Sequence, residues 1–322
     1  VKKYGDARRT ELAQIEETKE EKEKIEIIPE DVVVILNYNG DIKRIPKKNF
    51  KVQHKKGIGI KTLDNATLSA IQTNTTDTLM IFTSIGKMYR LNVDKIPEGT
   101  NASKGTNLKT ILPFLPEEEV QTASTLNKTV ENVVFFTKRG LIKKTKFEEY
   151  SSMKKTTGIQ AIKLKENDSI INVVFMNDNE EIIIISRDGF IIKVPTNDIK
   201  AIGRLTTGVK GIGLKENDEV ISAFPVSKTD EIAIVTKNGK GKRIKVSDII
   251  IQGRGGRGVS CMKLDTGDEV AAAAQVPQDS SLLIIGKPNS ICVPIVEIPI
   301  QTKASTGTKL IERSLVQAIT IL

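Results

Sequence analysis

Residues Ile232 to Arg243, IAIVTKNGKGKR, hold an apolar run, a glycine turn and a second run carrying a cation four residues after the glycine. Apolar residues ending at Asn238-Gly239 predict a strand closing in a tight hairpin, where glycine supplies the positive φ that the turn demands. The same arrangement returns at intervals of roughly 49 residues, the mark of a repeat architecture. Its hairpin glycines are Gly40, Gly86, Gly140, Gly189 and Gly239, with Asn289 in sixth place. A second glycine follows 18 or 19 residues later, at Gly59, Gly105, Gly158, Gly208, Gly258 and Gly307. Six copies of one unit are therefore present.

Cations keep register with both glycines. Four residues after the first stand Arg44, Arg90, Lys144, Lys193 and Arg243, with Val293 in the sixth copy. Four residues before the second stand Lys55, Asn101, Lys154, Arg204, Arg254 and Lys303. Solubility needs charge but not register. Packing equivalent units together predicts a periodic array of these side chains, displayed to a ligand.

Strand-like runs (Val32 to Leu36, Thr78 to Phe82, Val133 to Phe136, Ile182 to Ile185, Ile232 to Val235, Leu282 to Ile285) each precede a turn. Lower in the unit, Leu164 to Asp168 (LKEND) returns as Leu214 to Asp218 and more loosely as Leu264 to Asp268, read as polar turns between strands. Each unit thus holds about four strands, the size of one propeller blade, and six blades in a circle bury one another's faces. The expectation is an all-β, six-bladed propeller over 31–322, with blades at about 31–75, 76–125, 131–176, 179–226, 229–276 and 280–322. Residues 1–30 differ: a charged, helix-favouring stretch predicts a short helix running into a linker.

Composition narrows the function. Net charge is +9, from 49 Lys plus Arg against 40 Asp plus Glu, which favours a polyanion partner. Cys261 and Cys292 lack metal or disulfide spacing and read as small buried hydrophobes in a reducing compartment. No apolar run approaches the roughly 20 residues that cross a bilayer, so a cytoplasmic location with no membrane partner is expected. A start at Val1 reads as a fragment of a longer chain. His54 is the one histidine, so a Ser/His/Asp relay or a histidine metal site cannot be built, and no cofactor motif appears. With 4% aromatics and no Trp, stacking platforms for single strands are scarce.

The sharpest local motif is Gln252-Gly253-Arg254-Gly255-Gly256-Arg257-Gly258. Its glycines let the backbone approach a ligand and its arginines can fork onto phosphate oxygens. It satisfies GxGxxG, but strand-like sequence follows where a dinucleotide site needs a helix. Gln53 to Gly59 (QHKKGIG) and Gln301 to Gly307 (QTKASTG) occupy the same register. Phosphate contacts give affinity without sequence information, and a curved row of cations meets a duplex over several turns only if the duplex bends. Bending costs about 1 to 6 kcal/mol for 40 to 90° over a short site, which several register-matched contacts can offset.

The repeat length, the QGRGGRG string, Thr206 to Ile212 (TTGVKGI) and the opening Lys3 to Thr10 (KYGDARRT) together resemble the C-terminal domain of bacterial DNA gyrase A, over essentially the whole chain. The related C-terminal domain of topoisomerase IV is the second family in view. The resemblance implies a six-bladed β-pinwheel, a propeller with altered strand exchange, that wraps duplex DNA on its rim. It implies that residues 1–30 end a coiled coil, that the isolated domain is monomeric, and that it works with the rest of gyrase A and with gyrase B in an A2B2 assembly. The parent enzyme, a type IIA DNA topoisomerase, would use ATP and magnesium to introduce negative supercoils; the catalytic tyrosine and the ATPase would lie outside this chain. Its glycine-rich box is matched in unit one by Gln53, Lys55, Gly57 and Gly59, with Lys56 in place of a glycine and Ile58 in place of a lysine, and the resemblance implies DNA contact by Lys56 as well; the fuller match in unit five adds Gln252, Arg254, Gly255, Gly256, Arg257 and Gly258. The alternatives are a topoisomerase IV domain guiding substrate choice in decatenation, and a protein-binding propeller scaffold.

Overall fold

A computed structural model of the 322-residue chain describes residues 28–50, 60–61, 67–126, 129–150 and 158–322. These form six four-stranded antiparallel sheets. In the fourth sheet the order from the centre outward is Val220–Val226, Glu181–Ser186, Phe190–Pro195 and Val259–Ser260. The hairpin that turns at Gly239 is the middle pair of its sheet, with Ala233 opposite Arg243. Gly239 itself has φ +82°, a left-handed value natural only to glycine.

The innermost strands, among them Thr67–Asn74 and Leu315–Ile321, line a central channel of about 800 Å³. Amides and hydroxyls such as Gln72, Asn172, Ser222 and Gln317 face it. Its charged lining residues are Glu119, Lys138 and Glu219, and Lys138 pairs with Glu219 at 2.8 Å.

Each second strand is buried on both faces, which explains why these runs read as continuously apolar rather than alternating. Val32, Val34 and Leu36 pack towards Leu79 and Ile81 of the second sheet, while Val33 and Ile35 pack towards Leu283 and Ile285 of the sixth. Six such clusters fill six interfaces, including the one between sheets six and one, so the sheets close a ring. Cys261 lies buried between sheets four and five, and Cys292 between six and one.

The outermost strand of each sheet comes from the next unit along the chain. Thr106–Asn107 of unit two completes sheet one, Val209–Lys210 of unit four completes sheet three, and Ile60–Lys61 of unit one completes sheet six beside Asn289–Pro294. This is the strand exchange of a pinwheel, and it welds the last unit to the first. Among the described residues, the second glycine of each unit sits where the borrowed strand begins. Gly208 has φ +91°, and a Cβ there would stand 2.7 Å from the Ile142 carbonyl oxygen. The Asn167 and Asn217 turns also form, each asparagine at positive φ, as tight polar connections. The expected helix over residues 1–30 falls, up to residue 27, outside the described residues.

Candidate nucleic-acid interface

The loop before each borrowed strand is here termed a box; among the described residues boxes two, four, five and six lie on the outer circumference, because the strand each feeds is outermost. The stem of a box is held by the third strand of the preceding sheet. The Lys193 carbonyl accepts from the Gln252 amide at 2.9 Å, and the Arg243 carbonyl accepts from the Gln301 amide at 2.9 Å. Boxes two and six then fold as tight turns, with Ser103 N–H donating to Thr100 O and Ser305 N–H to Thr302 O, both at 3.2 Å. Boxes four, five and six are braced by the segment that follows the borrowed strand of the preceding unit: the Lys163 amide donates to Thr206 O at 3.1 Å, the Gly255 amide to Gly211 O and the Gly213 amide to Gly256 O at 2.7 Å, and the Lys263 amide to Ser305 O at 3.1 Å. Among the described residues, these loops are thus each anchored to the unit before.

The two registers of cations part company here. Of those after the first glycine, Lys144, Lys193 and Arg243 are not displayed, which corrects the expectation for these three. All five lie on third strands, whose faces pack between sheets, and these three side chains are enclosed despite their charge. Lys144 is 5% exposed, Lys193 4% and Arg243 9%. Lys144 donates to Asp178 at 2.7 Å and to Thr196 O at 3.1 Å. Lys193 pairs with Glu181 at 3.1 Å and reaches Val246 O, while Arg243 pairs with Glu231 at 2.5 Å and donates to Ile298 O at 2.7 Å. Each therefore joins a nearby acid to a carbonyl of the next unit. Arg44 and Arg90 are half-buried, with Nε atoms that have no partner among the described residues.

The box cations are at the surface but several are pinned. Arg254 is exposed and its Nε donates to Asp198 O at 3.2 Å; Lys303 donates to Asp248 O at 2.8 Å; Arg204 donates to Gln160 O at 2.9 Å. Arg257 is exposed and has no protein partner among the described residues. Gly255 and Gly258 hold positive φ, +82° and +76°, and Gly256 rests on Ile192. Gln252 forms the stem. Gln53, Lys55, Lys56, Gly57, Gly59 and Lys154 lie outside the described residues.

Sequence reasoning passed over two groups. Lys104 and Lys210 are exposed on box two and on a borrowed strand; Lys104 stands 3.8 Å from Asp41, and the stem of Lys210 lies beside Gly255. Lys210 was findable, since lysine also stands two residues after the second glycine at Lys61 and Lys309. The second group is Lys43, Lys143 and Lys242, three residues after the first glycine in units one, three and five, which are buried beneath boxes two, four and six.

Burial holds the Lys143 and Lys242 ammonium groups down to about 8, from the ordinary 10.5, and moves Lys43 in the same direction. Below about pH 8 folded and unfolded chains both carry these protons. Between about 8 and 10.5 the unfolded chain binds more of them, so these groups make stability rise with pH. Burial pushes Cys261 up to about 12, so it acts in the opposite sense once unfolded thiols ionise near 9. Unfolding free energy is expected to rise between pH 8 and 9, and urea melts at either end of that window check it. A fall would contradict the buried, charged state of the two lysines.

Comparison with known proteins bears on the same ring. The family described as DNA gyrase C-terminal domain, beta-propeller, matches residues 77–127, 131–175, 180–227 and 230–277. The DNA gyrase A protein of Streptococcus pyogenes serotype M1 is 34% identical over 210 residues, 63% of this chain and 25% of that protein. The corresponding Clostridium acetobutylicum protein is 32% identical over 208 residues, again 63% and 25%. The aligned part is thus about a quarter of the length of these relatives. A solved DNA gyrase A C-terminal domain superposes with TM-score 0.80 at 24% identity, covering 91% of this chain and all (100%) of that one. A topoisomerase IV C-terminal domain gives 0.69 at 21%, covering 92% and 94%. At these identities the two structures establish the shared fold.

Proposed function

The chain belongs to the DNA gyrase C-terminal domain, beta-propeller, family, and from that premise we propose that it binds duplex DNA without regard to sequence and bends it around the rim of the ring. The observation that carries this reading is the row of anchored boxes on the outer edge of a closed ring, boxes two, four, five and six among the described residues, with Arg254, Arg257, Lys104 and Lys210 turned to solvent. Such a belt follows phosphates and cannot read bases, for among the described residues it presents cations at intervals along a curve and no element shaped to enter a groove. The remainder of gyrase A together with gyrase B, in an A2B2 assembly, would supply strand cleavage and ATP hydrolysis in the cytoplasm. The domain itself does no bond chemistry in this reading. Gyrase is favoured over topoisomerase IV by the gyrase A relatives above 30% identity.

The test is topological. Nicked circles sealed by ligase in the presence of the domain are expected to show a linking-number change that grows with protein added, its sign giving the hand of the wrap. Tight binding with no change in linking number would reduce the function to binding without wrapping. Capture of a protein partner that survives nuclease, with no duplex binding, would favour the scaffold reading instead.

A further inference from the structure

The three buried lysines under alternate boxes have a consequence for where phosphate can bind. In a trans peptide the C=O and the following N–H point in opposite directions. The Lys242 ammonium donates to the carbonyl oxygens of Thr302 (2.7 Å), Lys303 (3.1 Å) and Ser305 (2.9 Å). The amides of Lys303, Ala304 and Thr306 must then face away from it. Lys43 does the same in box two, donating to Thr100 O (2.9 Å), Asn101 O (3.2 Å) and Ser103 O (2.7 Å), which turns out the amides of Asn101, Ala102 and Lys104. None of these six amides has a protein acceptor among the described residues. Consecutive outward amides form a concavity for anions, here with a cation behind it.

Box four has an anion on the equivalent amide: Arg204, four residues before the second glycine like Asn101 and Lys303, donates its amide to the Glu149 carboxylate at 2.7 Å, while Lys143 beneath donates to the next peptide at Arg204 O (2.8 Å) and to Ala161 O (2.9 Å). Side-chain charge runs the other way around the ring. Boxes one, three and five carry two cations at or beside the turn, Lys55 with Lys56, Lys154 with Lys155 and Arg254 with Arg257, whereas box four has Arg204, box six Lys303 and box two Asn101 followed by Lys104. Box five rests on apolar Ile192 where the even boxes rest on an ammonium.

We propose that boxes two and six hold DNA phosphates through main-chain amides oriented by Lys43 and Lys242, and that Glu149 occupies the equivalent place in box four as an internal anion. The assignment rests on the DNA-binding reading above. It explains why Asn101 can stand where other units have a cation: the contact there is made by the backbone. Phosphate contacts then alternate around the rim between side-chain forks and amide cradles.

Glu149→Ala frees the equivalent amide of Arg204 for a phosphate. It is expected to steepen the log affinity against log salt slope by about 1 and to tighten duplex binding about eightfold at 0.1 M salt. Glu148→Ala removes the same charge one residue away and is expected to leave the slope unchanged. Equal effects of the two variants, or none, would overturn the proposal. As a direct readout, the Asn101 and Lys303 amide resonances of the wild-type protein are expected to move on titration with a short duplex. If the duplex binds with its salt dependence and those amides stay still, the cradles are wrong while the DNA reading survives. If no duplex binds at all, the DNA reading fails and takes the cradles with it.

Discussion

Replacing Arg254 and Arg257 together with alanine is expected to weaken the binding of every duplex sequence alike, by roughly sixtyfold at 0.1 M salt, and to flatten the salt slope by about 2. The figure follows from counterion release at about 0.9 ion per neutralised phosphate, applied to two contacts. Both arginines are exposed, and Arg254 gives only its Nε to Asp198 O, leaving the rest of the guanidinium fork for a ligand. Folding should be untouched, because neither side chain fills the core. Salt titrations against two duplexes of unrelated sequence check both parts. A loss confined to one sequence would mean that the arginines read bases, and an unchanged slope would remove them from the interface.

The ring was legible because its two signals are local. A positive-φ glycine closes each of the first five hairpins, and Val32 to Leu36 is apolar without alternation because both faces of that strand meet neighbouring sheets. The borrowed strands were not legible in themselves. Thr106–Asn107 or Val259–Ser260 is two residues long, with no periodicity to read, and its place is set by a partner in the preceding unit. The same non-locality hid the fate of the first register of cations. A period of two says which residues share a face, but not whether that face meets water or another sheet. The box cations were easier to place, since turns rich in glycine and polar residues belong at the surface. The amide cradles were beyond sequence reading altogether, because the orientation of the peptides of Thr302 to Ser305 depends on Lys242, about sixty residues earlier.

Arg243→Ala gives the largest expected effect on the fold. Arg243 sits between sheets with its Nη1 2.5 Å from Glu231 and its Nε 2.7 Å from Ile298 O, the latter in the unit that lends its strand to sheet five. Removing it leaves the Glu231 carboxylate buried without its counter-charge and opens a void between two blades. Loss of one partner of such a pair costs about 3–5 kcal/mol. The pair itself need not be a net source of stability, because bringing both charges out of water offsets much of their attraction. Glu231→Gln combined with Arg243→Met is therefore expected to recover most of the loss. Urea denaturation of the two variants checks this, and the double variant decides the role of the position. If Arg243 is a clasp between units, the double variant, once folded, binds duplex with the wild-type salt slope. If Arg243 reaches phosphate, that slope flattens by about 1 although stability has returned. The 9% exposure of Arg243 sets the expectation at the first outcome.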